Sequence, residues 1–377
     1  MKKIVLIYIV AFISSILLWN IIIANFIYDQ SSEKESSLAQ GKDPYSKFVA
    51  ANEGYANFYT DNYGYNNDLI EGKKDDEFRI LVLGDSITEA AQVKREDNFV
   101  SQLEKKLNDR GEKFRVLNFG RGGRALPDYI AFAQDYINAL SPDYVVIQVN
   151  PGDFLVKSEA SGNLHYITRE SGNFILIKSE MDSLSQRFKY IKDKTGWLRP
   201  LVGYTAIGSI NFMNSLELSS MVDKIKHVNI FGNQKSVDIT SVNTQSESEQ
   251  ANYQLSREDL EIIEWEITKL IELYGKNIVF LAIPVAPYIE NGEVQYNRNE
   301  KEEQMKKDID TICAKYGIGY LDPLEDYIQL YKEINKMSMG FHNTKPGQGH
   351  LNKYGHEITA QKLLNFFETL NIENFDK

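Results

Sequence analysis

Cysteine is almost absent from this chain of 377 residues, in which Cys313 is the only one. A single cysteine cannot form an intramolecular disulfide, so a domain of this size must be stabilised by its hydrophobic core. Positive charge is also scarce, with 42 Lys and Arg against 53 Asp and Glu and a net charge of -11. A nucleic-acid surface needs clustered Lys and Arg, so we expect no nucleic-acid partner.

Histidine, a frequent metal ligand, occurs only five times. His342, His350 and His356 stand near the carboxyl terminus, but their spacing matches no zinc-ligand pattern. We therefore expect no metal site and no cofactor. We expect His356 to pack or cap at the start of the last helix, and His342 to lie in a loop, either lining a pocket or solvated.

Long apolar runs are missing except at the amino terminus. Lys2 and Lys3 carry positive charge, and Ile4–Tyr28 is almost wholly apolar. About 20 such residues can cross a bilayer core, whereas the apolar part of a secretory signal peptide has about 7–15 residues and precedes a small-residue cleavage site. We predict an uncleaved signal anchor over residues 1–29, with a cleaved signal peptide as the alternative. The positive-inside tendency then places the remaining chain outside the cytoplasm, at a bacterial cell surface or in the periplasm.

The rest of the sequence divides into a lead-in and an α/β domain. Residues 30–77 are polar, serine-rich and turn-rich, which is typical of a linker. From residue 78 onward, apolar runs alternate with amphipathic helical segments, which predicts right-handed parallel crossover units. We expect strands at 79–84, 114–118, 144–149, 278–283 and 319–321. The predicted fold class is α/β: a doubly wound, flavodoxin-like, three-layer α/β/α domain over 78–377 with a mainly parallel sheet.

This alternation breaks between about residues 156 and 249, which we interpret as an insertion over the carboxyl edge of the sheet. Within it, residues 165–168 and 173–177 flank Ser171-Gly172 and are predicted to form a hairpin. Such an insertion either shapes a substrate pocket or serves as a structural flap.

Ser86 directly follows the first predicted strand, in Gly84-Asp85-Ser86. Open α/β sheets keep their sites at the carboxyl ends of strands, so Ser86 is a candidate nucleophile. The alternative is a plain turn in which Asp85 or Ser86 caps the next helix. His350 favours the nucleophile, because it lies in a loop before the last predicted helix and a histidine near neutral pH can act as its base.

In these segments the chain resembles the SGNH hydrolases, or GDSL-type esterases, from about Tyr63 to the carboxyl terminus without the insertion. The segments stand in family order: Gly84-Asp85-Ser86, Asn118 to Gly123, the turn after Val149, and His350-Leu351-Asn352 to His356. The resemblance implies that Ser86 becomes acylated and that His350 is the base. It also implies an oxyanion hole formed by the backbone N–H groups of Ser86 and Gly123 and by an asparagine side chain.

Two positions depart from the family pattern. The third segment usually reads Gly-x-Asn-Asp, but here Gly152 occupies the asparagine position and Asn150 lies two places earlier, which makes Asn150 the candidate oxyanion donor. The family's orienting acid stands two or three residues before the histidine, where this chain has Gln348 and a glycine. Gln348 and Asp322 are the candidates for orienting His350. With no acid at the family position, we expect a Ser–His pair.

We predict a membrane-anchored, extracytoplasmic serine esterase or O-acyltransferase. Its predicted substrates are O-acyl groups, with acetyl the leading one, of cell-surface glycans or of small esters, and a membrane acyltransferase is a candidate partner. Two alternatives stay open: a non-catalytic SGNH-like domain that binds a glycan or a partner in polymer export or modification, and a lysophospholipase or thioesterase. Four tyrosines of the lead-in either stack on sugar rings or serve packing: Tyr55, Tyr59, Tyr63 and Tyr65.

Overall fold

The structure, a computed structural model, describes residues 38–50, 53–109, 113–158, 163–179, 255–296 and 300–370, together with part of 3–18. Most of the predicted anchor and most of the predicted insertion lie outside these residues. No helix in the described part of the chain is both long and apolar enough to cross a membrane.

Strands and helices alternate along the described residues. The strands are β1 (Lys47–Ala50), β2 (Ala56–Tyr59), β3 (Phe78–Gly84), β4 (Phe114–Gly120), β5 (Tyr144–Val149), β6 (His165–Glu170), β7 (Asn173–Lys178), β8 (Ile278–Ala282), β9 (Tyr288–Glu290), β10 (Glu293–Gln295) and β11 (Gly319–Leu321). The helices are α1 (Ser86–Glu89), α2 (Phe99–Asn108), α3 (Leu126–Ala131), α4 (Ala133–Leu140), α5 (Arg257–Tyr274), α6 (Glu300–Tyr316), α7 (Leu324–Ile334) and α8 (Lys353–Thr369).

Five parallel strands form the central sheet in the order β11-β8-β5-β3-β4. Numbered within the sheet in chain order, this is the flavodoxin-like 2-1-3-4-5 arrangement, so the predicted doubly wound parallel sheet is confirmed. The strand order reverses at β3, which lies between β4 and β5. The crevice at such a switch point, beyond the carboxyl ends of the strands, is where open α/β sheets bind ligands.

Helices cover both faces of this sheet. Leu81 and Leu83 of β3 belong to a core cluster shared with α3, α4, α5 and α6, whereas Ile80 and Val82 pack with α2, α7 and α8. All four side chains are fully buried. A continuous buried run is typical of a parallel strand with helices on both sides. The domain therefore has three layers, as the sequence predicts.

The lead-in folds onto the sheet from residue 38 onward and is not an extended linker there. The Tyr65 ring is buried against Phe119 of β4, with 4.3 Å between the ring centroids. Asn67 exchanges hydrogen bonds with the backbone of Asn118, accepting from its N–H at 2.7 Å and donating to its carbonyl at 2.8 Å. This packed lead-in also contains the antiparallel β1–β2 hairpin.

The hairpin predicted within the insertion is confirmed. β6 and β7 pair antiparallel, with Glu170 opposite Asn173. Ser171 and Gly172 both have positive φ, as a tight two-residue hairpin turn requires.

Candidate active site

Ser86 is the first residue of α1, directly beyond the carboxyl end of β3. Gly84 is required at this turn, because a Cβ atom there would lie 2.0 Å from Oγ1 of Thr88. Asp85 caps the short helix, since its Oδ1 accepts the backbone N–H of Ile87 at 2.8 Å. The capping function therefore belongs to Asp85, and the half-buried Ser86 hydroxyl remains for another partner.

His350 is that partner. It lies in the loop before α8, and Asn352 fastens this loop by donating from Nδ2 to the carbonyls of Met337 and Gly340 at 2.8 and 3.0 Å. His350 Nε2 lies 2.8 Å from Ser86 Oγ. The fold thus brings together the two residues that the sequence singled out as nucleophile and base.

A carboxylate occupies the other side of the imidazole. Glu53, at the tip of the β1–β2 hairpin, places Oε2 at 2.5 Å from His350 Nδ1. Its Oε1 accepts the backbone N–H of His350 at 2.6 Å. Ser86, His350 and Glu53 therefore form the hydroxyl, imidazole and carboxylate arrangement of a catalytic triad.

The expectation of a Ser–His pair without an acid is consequently wrong, and so are both orienting candidates. The Gln348 side chain is exposed. Asp322 accepts the backbone N–H of Leu324 at 2.9 Å and forms an ion pair with Lys306, so it acts at the start of α7. No local motif marks Glu53, because it lies in the lead-in and outside every sequence segment that resembles the family.

Burial and charge act against each other in this pair. Burial by itself lowers the pKa of His350, but the hydrogen bond and charge of Glu53, with the charges of Asp85 and Glu89, raise that pKa above its ordinary value. Burial likewise raises the pKa of Glu53, and its hydrogen bonds and attraction to His350 outweigh burial and lower that pKa. Both shifts favour an imidazolium beside a carboxylate, the charge state that a general base reaches after taking a proton.

Asn150 lies beside the nucleophile turn. Its Nδ2 donates to Oδ2 of Asp85 at 2.9 Å, and its backbone N–H donates to Oδ2 of Asp153 at 2.7 Å. A side-chain amide has two N–H groups, so the bond to Asp85 orients the amide and uses only one of them. The partly exposed Asp153 has an enclosed carboxyl group, and burial with the neighbouring charge of Asp85 raises its pKa to about 8.

Two glycines follow β4 at the same edge of the sheet. A Cβ atom on Gly122 would lie 3.6 Å from Ser86 Cβ, and its backbone N–H donates to Glu89 Oε2 at 3.2 Å. Gly123 is exposed, has φ of +77°, and its carbonyl accepts from Asn163 Nδ2 at 2.9 Å. Gly122 thus packs against the nucleophile, and Gly123 remains the candidate donor named by the sequence.

The three carboxyl-terminal histidines do not converge. His356 is buried, and its Nδ1 accepts the backbone N–H of Phe99 at 3.3 Å, while burial and the charge of His350 lower its pKa to about 3. It is a packing residue of α8, as expected. His342 is exposed in the loop.

Comparison with known proteins gives a likeness of structure only. The sequence matches no family profile and no curated protein. Among solved structures, an acetyl xylan esterase matches at 15% identity and a TM-score of 0.39, over 78% of this chain and 100% of that chain. A catalytic mutant of an acetylxylan esterase from Geobacillus stearothermophilus matches at 14% identity and 0.37, over 76% of this chain and 93% of that chain.

A member of the lipolytic protein G-D-S-L family from Veillonella parvula matches at 11% identity and a TM-score of 0.37, over 78% of this chain and 100% of that chain. These structural neighbours are esterases and a GDSL-type protein. With every one of these TM-scores below 0.5, the likeness assigns neither family nor activity to this chain. The case for an activity therefore rests on the geometry of Ser86, His350 and Glu53.

Proposed function

We propose that this chain is a serine esterase or O-acyltransferase that forms an acyl-enzyme on Ser86. The observation that carries the proposal is the continuous contact from Ser86 Oγ through His350 to Glu53, at 2.8 and 2.5 Å. A serine hydroxyl is a weak nucleophile at neutral pH, and an adjacent base oriented by a third group is what activates it.

In the proposed reaction, His350 Nε2 removes the proton from Ser86 Oγ as the oxygen bonds to the ester carbonyl carbon. His350 then returns this proton to the leaving alcohol as the carbon–oxygen bond of the ester breaks, which leaves an acyl group on Ser86. Water or an acceptor hydroxyl next attacks this acyl group, with His350 again taking the proton. Hydrolysis and transfer share every step except the identity of this acceptor.

Glu53 supports both halves of this cycle. Its carboxylate accepts the Nδ1 proton, which leaves the Nε2 lone pair facing Ser86, and it stabilises the imidazolium that follows. Replacing the carboxylate of a comparable triad by an amide costs about 10⁴ in rate. The backbone N–H groups of Ser86 and Gly123 and the second amide N–H of Asn150 are the proposed oxyanion donors. Each such donor contributes about 3 to 4 kcal/mol in comparable sites.

We further propose O-acyl groups of a glycan, with acetyl the leading one, as substrate. A groove of about 780 Å³ runs along β2, and Tyr55 and Tyr59 line it with 41% and 62% of their surface exposed. The groove begins two residues from Glu53 in sequence. Exposed tyrosines offer a flat apolar face and a hydroxyl, which suits a sugar ring. Tyr65 is buried, so the lead-in tyrosines divide between packing and exposure.

An extracytoplasmic, membrane-anchored location and a membrane acyltransferase partner remain part of the proposal. Their support is the amino-terminal sequence, where Lys2 and Lys3 precede the apolar run Ile4–Tyr28. An acyl donor delivered through the membrane would supply Ser86 with the group that it transfers.

The deciding experiment incubates the full-length chain with a fluorophosphonate probe and with a chromogenic acetyl ester, beside Ser86→Ala and His350→Ala. We expect wild type to be labelled and to hydrolyse the ester, and both variants to lose these activities. Labelling without hydrolysis favours transfer. Faster turnover of long-chain acyl esters favours the lysophospholipase or thioesterase. If wild type labels no better than Ser86→Ala, the enzyme proposal fails and a non-catalytic binding domain replaces it.

A further inference from the structure

The tip of the β1–β2 hairpin is held by one side chain of the loop that carries the base. The backbone N–H of Gly54 donates to Oδ1 of Asn343 at 2.7 Å, and Nδ2 of Asn343 donates to the carbonyl of Gly54 at 3.3 Å. Asn343 therefore satisfies both backbone polar groups of the residue next to Glu53.

The seat of Gly54 is closely fitted. Gly54 is buried with φ of +67°, and a Cβ atom there would lie 2.7 Å from a ring carbon of Phe341 and 2.8 Å from the carbonyl oxygen of Gln92. Such contacts leave no space for a side chain, so the tip fits with its main chain flush against the loop. Once Gly54 is seated, the direction in which Glu53 leaves the tip is fixed.

The loop that receives the tip is itself fastened. Gly340 donates from its backbone N–H to the carbonyl of His350 at 3.2 Å, and the backbone N–H of Phe341 donates to Oγ1 of Thr344 at 2.8 Å. Asn343 lies between these two bonds and His350. The residue that holds the hairpin and the residue that needs its carboxylate are thus parts of one braced loop.

We infer that Asn343 is a positioning residue that seats the tip of the hairpin so that Glu53 meets His350. The inference rests on the proposed function, because it assigns Asn343 a purpose within the proposed triad. A two-stranded hairpin is marginally stable alone, so the tip needs a fixed point to hold a carboxylate in catalytic geometry. A displacement of about 1 Å can cost about 10² in rate.

Asn343→Ala tests this inference in the full-length chain, and Asn62→Ala is its matched control. Asn62 makes the same pair of bonds at another position of the lead-in, accepting the N–H of Ile70 at 2.9 Å and donating to its carbonyl at 3.2 Å. The control removes an equivalent clamp and leaves the seat of Gly54 unchanged.

The first readout is the titration of His350 by NMR, with its signal assigned from His350→Ala. His350 faces the charges of Glu53, Asp85 and Glu89, and the buried His356 is its cationic neighbour. We expect its pKa to fall in Asn343→Ala in the same direction as in Glu53→Gln, and to stay unchanged in Asn62→Ala. An unchanged pKa in Asn343→Ala, or an equal fall in the control, overturns the inference.

The second readout is kinetic. We expect Asn343→Ala to lower kcat for the acetyl ester about tenfold or more with little change in KM, and the double variant with Glu53→Gln to be no slower than Glu53→Gln alone. Losses that multiply would show that Asn343 acts independently of Glu53 and would overturn the inference. Failure of the proposed function appears differently, as a wild type that the fluorophosphonate does not label, and the NMR titration still decides the position of Glu53.

Discussion

Gly349 leaves the space in which the carboxylate of Glu53 reaches His350. A Cβ atom on Gly349 would lie 1.9 Å from Glu53 Oε1 and 2.8 Å from its carboxyl carbon. That same Oε1 accepts the backbone N–H of His350 at 2.6 Å. The loop that carries the base is therefore shaped around a carboxylate that arrives from a distant part of the chain.

Gly349→Ala should displace Glu53 and inactivate the site while the fold persists. We expect kcat/KM for an acetyl ester to fall about 10²- to 10⁴-fold, because the imidazolium loses its carboxylate. Gly172→Ala is the control, since Gly172 has φ of +86° against +85° for Gly349 but nothing within 4 Å of its Cβ position. Both variants carry similar backbone strain, so equal activities would contradict the prediction.

Glu53→Gln should move the acid limb of the pH–kcat/KM profile to lower pH. His350 acts as a base only when it is neutral, and Glu53 raises its pKa, so removing the charge lets His350 lose its proton at a lower pH. The maximal rate should fall about 10³- to 10⁴-fold. The exposed Glu290→Gln should leave the profile unchanged. A limb that stays in place or moves to higher pH would count against the assignment of Glu53.

Asp153→Asn should make the protein more stable at slightly alkaline pH. The ordinary pKa of this carboxyl is 3.8, and in the folded protein it is about 8. Between these values the folded state keeps a proton that the unfolded state has released, so stability falls as the pH rises through this window. An asparagine oxygen can still accept the N–H of Asn150 and carries no such penalty.

The measurement for Asp153→Asn is Tm from pH 4 to pH 8.5. We expect the variant to gain over wild type as the pH rises, on the order of 5 °C at the alkaline end. Asp135→Asn, at an exposed position of α4, should show no such trend. A constant difference across the window would refute the raised pKa of Asp153.

Tyr55→Ala and Tyr59→Ala should weaken the use of an acetylated oligosaccharide and not that of a small ester. Loss of one stacking contact of about 1 kcal/mol corresponds to about a fivefold rise in KM. Tyr45→Ala is the control, because Tyr45 is 65% exposed but does not line the groove. If KM rises equally for both substrates, or equally in Tyr45→Ala, the groove does not bind the glycan.

The sequence predicts the sheet well because its strands are local features. The run Ile80–Leu83 is apolar throughout, as a strand buried on both faces must be, and the short joints to the neighbouring helices favour parallel pairing. Ser86 and His350 could also be found, since each stands at the end of a recognisable element. The packing of the lead-in could not, because Tyr65 and Asn67 stabilise it through contacts with β4 that no short pattern encodes.

By itself, the sequence determined an α/β domain with a serine beyond its first sheet strand and a histidine before its last helix. The tertiary structure alone decided that these two residues have an acid. Glu53 and His350 are 297 positions apart, and their contact depends on a hairpin that folds back over the sheet and on a loop with room for a carboxylate. Periodicity and turn signals report neighbours along the chain, whereas the position of Glu53 follows from packing between segments that are remote in sequence.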